Sequence, residues 1–345
     1  MRFIKPDTHI DFIGKKKIAF FLSMACVAVS ILSLIVHNGP RLGIDFAGGT
    51  LIQIKSKAAV RIDDIKSGLE TVGLGKSSVQ QFGERIHNEF LVRTDLLYEN
   101  ADAFASEIKK ALETATDGEV EIRRVEMVGP QVGEDLREKA LFAMFYALLF
   151  IMIYISGRFE LKWIISGVVA AALIGAVYVT NLFNVSIPFL IGAALIVSLV
   201  LFWFLELKFA MGAIVALIHD VTITVGIFSI FDKEFTLPVI AALLTIIGYS
   251  LNDTIIVFDR IRENLRKHHK QPLGFIINRS INETLSRTIL TSGTTLIVVV
   301  ALFILGGGII HDFAFALTVG IVVGTYSSIY VASPILLAWQ NRGKK

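Results

Sequence analysis

The sequence predicts a polytopic α-helical membrane protein with one exported α+β domain, and three observations lead to this fold class. Hydrophobic residues make up 54% of the 345 residues and charged residues only 18%, whereas soluble globular chains average about 45–50% and about 25%. The charges are unevenly spread, because residues 37–139 hold 32 of the 63 charged side chains. Long apolar runs lie on both sides of that charged segment. A wholly soluble protein is therefore excluded.

Eight apolar runs have about the length of a membrane span. A hydrocarbon core about 30 Å thick needs about 20 helical residues, since unpaired backbone groups cannot be left in lipid. The runs cover residues 18–36, 140–155, 163–183, 187–205, 209–231, 237–258, 289–305 and 313–339. They divide the chain into a first span with its N-terminal segment (1–36), an exported domain (37–135) and a helical bundle (136–345).

The distribution of lysine and arginine predicts the orientation, because basic residues in short loops are retained in the cytoplasm. With the N-terminus inside, eight spans collect 18 basic residues on the inner side, and the three short outer loops hold only Lys233. We therefore expect cytoplasmic termini, an exported domain at 37–135 and a cytoplasmic loop at 259–287. The basic start and 19 apolar residues without a small-residue cleavage site favour a retained anchor over a signal peptide.

The exported segment alternates between strand and helix periodicity. Strands are predicted at 51–54, 78–82, 89–94 and 120–125, and helices at 61–72 and 101–115. The resulting order, βαββαβ, fits a ferredoxin-like domain. The sequence of this segment contains no nucleophile elbow and no phosphate-binding loop, and the single cysteine, Cys26, cannot form a cysteine-based metal site. We expect a binding or mechanical role for the domain rather than an enzyme, with no catalytic, metal or cofactor site.

Three ionisable positions fall in or beside the apolar runs. Asp220, next to His219, lies near the middle of its run. Asp253, next to Asn252, lies about 8 Å inside the cytoplasmic end of its run at 1.5 Å per residue. Arg287 precedes the following run at a similar depth, so it could approach Asp253 across an antiparallel helix pair. Because an ionised carboxylate in hydrocarbon costs at least about 2.5–3.5 kcal/mol, such groups usually face protein or water.

Two interpretations of these charges remain open from the residues alone. In the functional one, burial disfavours the charged form of Asp253 and a nearby Arg287 favours it, so their relative movement couples proton uptake and release to conformation. In the structural one, a static ion pair or a polar bridge of Asn252 and Asp253 only fixes helix packing. For Asp220 and His219 the residues favour neither interpretation.

Two motifs stand at the junctions of these segments. The first, Gly-x-Asp-Phe-x-Gly-Gly, joins the first apolar run to the first strand. Its glycines permit tight turns and its aspartate can bond nearby backbone amides, which predicts a structural junction. The second, Gly-Tyr-Ser-Leu-Asn-Asp, lies within the run at 237–258. The motif residues are Gly43, Asp45, Phe46, Gly48 and Gly49 in the first, and Gly248, Tyr249 and Ser250 at the start of the second.

Three more motifs follow the same order: Val-Gly-Pro-x-Val-Gly at 128–133, Ala-Leu-Ile-His-Asp at 216–220 and Ser-Arg-Thr-Ile-x-Thr-Ser at 286–292. Together the five motifs resemble those of the SecD/SecF family of protein-export membrane subunits, within the resistance-nodulation-division superfamily. The resemblance covers nearly the whole chain, and the Gly-Tyr-Ser-Leu-Asn-Asp stretch is specific.

The resemblance implies an inner-membrane subunit that, with SecD, uses the proton gradient to promote polypeptide translocation and release. The partners that it implies are SecD, the SecYEG channel, YajC, the translocating polypeptide and membrane lipids, without nucleic acid. It implies a periplasmic location for the exported domain and no cofactor, with protons as the coupling ion. In the family, the aspartate and arginine that match Asp253 and Arg287 are associated with proton transport.

One stretch departs from the family pattern of six membrane helices. Phe-Glu-Leu-Lys at 159–162 is echoed by Leu-Glu-Leu-Lys at 205–208, and the intervening length fits an insertion of two helices at about 160–206. Two alternatives for function also remain, since fold and charge pattern do not name a cargo. One is a proton-driven exporter of a small molecule or lipid, and the other is a scaffold whose buried charges only fix packing.

Overall fold

The computed structural model describes residues 9–82, 88–98, 101–116, 118–160 and 187–342, and six further residues between 167 and 175. The chain divides into two compact units. The membrane unit comprises Met1–Arg41, Ala140–Gly306 and Ile310–Lys345, and the sheet unit comprises Leu42–Lys139 with Gly307–Ile309.

Eleven helices, four strands and one π-helical turn follow one another in the described residues. In chain order they are α1 (Lys16–Val36), α2 (Ile44–Ala47), β1 (Gly49–Ser56), α3 (Ile62–Glu70), β2 (Ser78–Phe82), β3 (Glu89–Thr94), α4 (Ala101–Thr116), β4 (Val120–Val128), α5 (Pro130–Glu160), α6 (Ile187–Phe204), α7 (Lys208–Ile230), α8 (Leu237–Lys267), α9 (Leu273–Leu305), α10 (Gly307–Ser327), the π turn (Ser328–Ala332) and α11 (Ser333–Arg342).

Six spans in the described residues are long and apolar enough to cross a membrane. They are Lys16–Val36, Pro130–Phe159, Lys208–Ile230, Leu237–Lys267, Leu273–Leu305 and Ile310–Trp339. Of the other two predicted runs, the one at 187–205 forms the shorter apolar helix α6, and most of the one at 163–183 lies outside the described residues. Large apolar side chains on α1 are exposed, Phe21 by 71%, which suits a helix surrounded by lipid.

Helices occupy most of the segment 259–287, which the sequence predicts as a cytoplasmic connection between two apolar runs. Helix α8 extends to Lys267 and α9 begins at Leu273, so that only residues 268–272 of this segment lie outside both helices. Ion pairs at spacings of three and four residues lie along the polar surface of these helical segments and stabilise them by about 0.2–0.5 kcal/mol each. The pairs are Arg260 with Glu263 at 2.9 Å, Lys267 with Glu263 at 2.6 Å and Arg279 with Glu283 at 2.8 Å.

The sheet unit contains one four-stranded sheet of order β2-β3-β1-β4, and every neighbouring pair is antiparallel. The order of strands and helices, βαββαβ, is the one that the sequence predicts, and β4 extends three residues further than expected. Alternate residues of β1, including Ile52 and Ile54, are buried, as expected for a strand with one covered face. Helices α3 and α4 supply one apolar face each to the same core, through Ile65 and Ile108 among others.

The glycine-rich junction forms a single helical turn, α2, followed by two glycines in conformations that disfavour other residues. Phe46 is buried, and Asp45 lies in the first turn of α2. Gly48 has φ +74° and Gly49 has φ +114°. A Cβ atom on Gly49 would lie 2.5 Å from the carbonyl oxygen of Thr94, and one on Gly48 would lie 2.9 Å from a backbone carbon of Pro130. Both the backbone angles and the close approach therefore require glycine here.

Replacing Gly49 by alanine should destabilise the sheet unit through both backbone strain and a steric clash, by about 2 kcal/mol or more. Gly73→Ala is the matched control, since Gly73 also has a positive φ, +77°, but nothing lies within 4 Å of an added Cβ. Unfolding of the full chain in detergent, followed by circular dichroism, compares the two variants. Equal losses of stability would show that the clash with Thr94 contributes nothing.

Candidate functional site

The first buried carboxylate is Asp220, on α7, whose side chain is 0% exposed. Its Oδ2 atom accepts hydrogen bonds from the hydroxyls of Ser250 on α8, at 2.5 Å, and Ser327 at the end of α10, at 2.7 Å. Its Oδ1 atom lies 2.8 Å from Nδ1 of His219. Three helices therefore contribute polar groups to one carboxylate.

The second buried carboxylate is Asp253, on α8, and the residue is 6% exposed. Oδ1 accepts a hydrogen bond from the Thr288 hydroxyl on α9 at 2.7 Å, and Oδ2 accepts one from the Ser328 hydroxyl at 2.6 Å. Both donors are neutral. The carboxylate thus bridges α9 and the π turn that follows α10.

Consecutive serines connect the two carboxylates. Ser327 is the last residue of α10 and Ser328 the first of the π turn, and both are fully buried. The first donates to Asp220 and the second to Asp253. Single π-helical turns inside α-helices are rare and often lie at functional sites. We therefore define Asp220, Asp253 and these two serines as the carboxylate–serine cluster.

The expected direct approach of Arg287 to Asp253 is not found. Arg287 is exposed, and within the described residues it forms no ion pair with Asp253. Thr288, the next residue along α9, makes the contact instead. Asn252 is also exposed, and no hydrogen bond of its side chain is found in the described part of the chain, so Asp253 alone forms the polar bridge between helices. In the described residues, the groups that donate hydrogen bonds to Asp253 are hydroxyls, and neither a cation nor an amide is among them.

Two aromatic side chains beside the cluster have unsatisfied polar atoms. Nε2 of His219 is buried and has no hydrogen-bond partner among the described residues, and the same holds for the hydroxyl of Tyr249. The His219 ring stacks against Tyr326, with ring centroids 6.3 Å apart. An imidazole nitrogen can accept or donate a hydrogen bond, so His219 places an unpaired polar atom of the described structure next to Asp220.

The members of the Gly-Tyr-Ser-Leu-Asn-Asp motif have different surroundings. Ser250 bonds Asp220, and Asp253 belongs to the cluster. Gly248 has nothing within 4 Å of an added Cβ. The close approach occurs opposite Ser250, where a Cβ on Gly324 of α10 would lie 2.9 Å from the Ser250 Cβ. Gly324 thus allows α10 to come near enough for Ser327 to reach Asp220.

Sequence reasoning missed Thr288, Ser327 and Ser328. The hydroxyls of Thr294 and Thr295, further along α9, donate to carbonyls of their own helix rather than to the cluster. The one available signal was the adjacent pair of serines within a long apolar run. It could not be interpreted without the position of the π turn.

Two family models match the chain. Residues 107–174 and 168–342 match the C-terminal region of the protein export membrane proteins SecD and SecF, and residues 33–60 match the SecD/SecF GG motif. The chain belongs to the SecD/SecF family. The matched range 168–342 contains Asp220, Asp253 and both serines of the cluster. The GG-motif range contains Gly48 and Gly49. The predicted family resemblance is confirmed.

Several SecD/SecF family members are similar over nearly their whole length. The protein translocase subunits SecF of Magnetococcus marinus and Desulfurispirillum indicum are 44% and 42% identical to this chain. These alignments cover 98% and 97% of this chain, and 94% and 93% of the relatives. Together with the six long apolar helices, the family assignment identifies a multi-pass membrane protein.

A solved SecD/SecF family structure has a similar fold. The crystal structure of SecDF from Thermus thermophilus, described as a translocon-associated membrane protein, matches with a TM-score of 0.76 and 34% identity. The match covers 97% of this chain and 39% of that chain. A second SecDF structure, in a super-membrane-facing form, matches with a TM-score of 0.61 and 34% identity, over 100% of this chain and 40% of that one.

Gly324→Ala should disturb the cluster directly, because the new Cβ would push Ser250 away from Asp220. We expect a loss of about 1–3 kcal/mol, as for other small-to-large changes in packed interiors. Gly293→Ala on α9 is the control, since an added Cβ there meets nothing within 4 Å. Thermal unfolding in detergent measures both. A Gly324→Ala variant as stable as Gly293→Ala would contradict the close approach of α10 to α8.

Proposed function

We propose that this chain is an auxiliary subunit of the Sec protein-export machinery that, with SecD, uses the proton gradient to promote polypeptide translocation and release. The observation that carries the proposal is a pair of buried carboxylates on two membrane-spanning helices of a SecD/SecF family member, Asp220 on α7 and Asp253 on α8. The relatives named as translocase subunits support the assignment to export. The buried carboxylates support the coupling to protons.

The hydrogen bonds of the carboxylates suit a group that gains and loses a proton. A hydroxyl can donate to an ionised carboxylate and can accept from a protonated one. A fixed guanidinium partner would instead favour the ionised form alone. Asp253 accepts only from Thr288 and Ser328 among the described residues, so both protonation states can be hydrogen-bonded without moving a helix.

Arg287 is the proposed mobile cation. It is one residue from Thr288, and successive residues of an α-helix are about 100° apart around the helix axis. A rotation of α9 by about that angle would replace the Thr288 hydroxyl beside Asp253 by the Arg287 guanidinium. The exposed position of Arg287 supports a role in a second conformation rather than a static ion pair.

The connection between α7 and α8 is the proposed route from the carboxylates to the exported side. Asp232 forms an ion pair with Arg41 at 2.6 Å, and Glu234 lies 3.6 Å from the same guanidinium. Lys233, between them, pairs with Asp312 of α10 at 2.5 Å. The helices that carry Asp220 and Asp253 are therefore tied to Arg41, the last residue of the membrane unit before the sheet unit begins.

The remaining parts of the proposal follow the family pattern. The sheet unit is a ferredoxin-like domain exported to the periplasm, and both termini lie on the cytoplasmic side of the inner membrane. Eight spans are proposed, with a two-helix insertion at about 160–206 that includes α6. Protons are the coupling ion, without a cofactor, and the proposed partners are SecD, the SecYEG channel and YajC. Co-purification of SecD and SecYEG from native membranes tests the partners.

Asp253→Asn tests the coupling, because an amide has a similar shape but cannot carry the proton. Export of a secretory protein into inverted membrane vesicles that contain this chain and SecD should fall to the rate measured without a proton gradient. Asp259→Asn is the matched control on the same helix, since Asp259 is partly exposed and pairs with Arg158. We expect this variant to keep the gradient-dependent rate.

Full gradient-dependent export by Asp253→Asn would show that this carboxylate does not couple protons to export. A deficit that is equal in Asp253→Asn and Asp259→Asn would also contradict the proposal, because it would indicate a general loss of negative charge on α8. The amount of each variant in the membrane, measured by immunoblotting, corrects for differences in assembly.

A further inference from the structure

The hydroxyls of Ser327 and Ser328 each have two acceptors within hydrogen-bond distance. The Ser327 Oγ atom lies 2.7 Å from Oδ2 of Asp220 and 3.1 Å from the carbonyl oxygen of Gly324. The Ser328 Oγ atom lies 2.6 Å from Oδ2 of Asp253 and 3.0 Å from the carbonyl oxygen of Thr325. A serine hydroxyl carries one proton. The hydroxyl proton of each serine can therefore be donated either to a carboxylate or to a carbonyl of its own helix.

We propose that the π turn Ser328–Ala332 is a switch that responds to protonation of the two carboxylates through these two hydroxyls. When a carboxylate is ionised, the serine hydroxyl donates to it, because hydrogen bonds to charged acceptors are the stronger ones. When the carboxylate is protonated, its own O–H donates to the serine oxygen, and the hydroxyl proton rotates to the helix carbonyl. The serine neither gains nor loses a proton in either state.

The carbonyls that receive the hydroxyl protons lie immediately before the π turn. Gly324 and Thr325 are in the last turn of α10, where the backbone bonding changes from the α to the π pattern. A serine hydroxyl that donates to a carbonyl of the preceding turn competes with the backbone amide for that carbonyl and bends the helix. The Ser333 hydroxyl holds the other end of the turn through a 2.9 Å bond to the carbonyl of Ser328.

The switch deepens the proposed function, on which it rests, since it assigns a response to the same two carboxylates. Consecutive residues serve different carboxylates, so protonation of either one acts on the same helical turn. The register of α10 relative to α11 would then differ between protonation states. Both serines contact the proton-binding carboxylates, but neither gains nor loses a proton, so each acts on the π turn only by the direction of its hydrogen bond.

Other titratable groups lie around the cluster, and their pH effects must be distinguished from those of the two carboxylates. They are His219 from α7, Tyr249 from α8, Arg287 from α9, Tyr326 from α10 and Tyr330 from the π turn. His219 lies against Asp220, so a pH response at Ser327 could come from either group. Asp253 is hydrogen-bonded only to hydroxyls in the described residues, and Arg287, whose charge acts on it, stays protonated throughout. The Asp253–Ser328 half is therefore the one to test.

Hydrogen–deuterium exchange of the backbone amides at 328–333 tests the switch in the full chain, held in lipid nanodiscs. After correction for the intrinsic pH dependence of exchange, we expect the wild-type rate to change about fivefold as Asp253 titrates, the factor that corresponds to one hydrogen bond. Asp253→Asn and Ser328→Ala should abolish that change, and Ser328→Thr, which restores a hydroxyl, should retain it. Thr318→Ala on α10 is the matched control and should also retain it, because the Thr318 hydroxyl donates to the carbonyl of Ala314, outside the π turn.

Exchange at 328–333 that does not depend on pH in the wild type, or a pH dependence that survives Ser328→Ala, would overturn the switch. Failure of the proposed function gives a different result. If Asp253→Asn exports with full gradient dependence, proton coupling is wrong whatever the π turn does. If export by Asp253→Asn loses its dependence on the gradient while wild-type exchange at 328–333 does not change with pH, only the switch is wrong.

Discussion

Two carboxylates buried among membrane-spanning helices constrain the rest of the membrane unit, because an unpaired charge or acid group inside hydrocarbon costs several kcal/mol. Their hydrogen bonds come from α7, α8, α9, α10 and the π turn, through His219, Ser250, Thr288, Ser327 and Ser328. Displacing any of these elements would leave a carboxylate short of a donor. The need to satisfy Asp220 and Asp253 therefore specifies how the helices pack around them.

Small residues make that packing possible. Gly324 allows α10 to approach Ser250, and a Cβ on Gly212 of α7 would lie 3.0 Å from the carbonyl oxygen of Ala332 in the π turn. Helices in lipid associate through close packing and interhelical hydrogen bonds rather than through the hydrophobic effect. The glycines and the hydroxyls thus act together, since the first permit the short distances that the second need.

The sequence predicts the sheet unit and the positions of the carboxylates well, for identifiable reasons. Alternation of apolar residues locates strands such as Glu89–Thr94 to the residue, and a carboxylate within an apolar run marks a buried site. The depth of a residue along a helix does not specify its direction around the helix axis, however. Arg287 was therefore expected to contact Asp253, whereas the neighbouring Thr288 makes this contact. The π turn could not be predicted, because neither the turn nor the contacts of Ser327 and Ser328 with the carboxylates leave a periodic pattern in the sequence.

In the proposed function, Asp253 binds and releases a proton inside the membrane unit. Infrared difference spectroscopy of the full chain in lipid tests it most directly, because a protonated carboxyl has a carbonyl stretching band that an ionised one lacks. We expect a band that appears and disappears with pH in the wild type and is missing in Asp253→Asn. A spectrum in which Asp253→Asn removes no pH-dependent carboxyl band would contradict it.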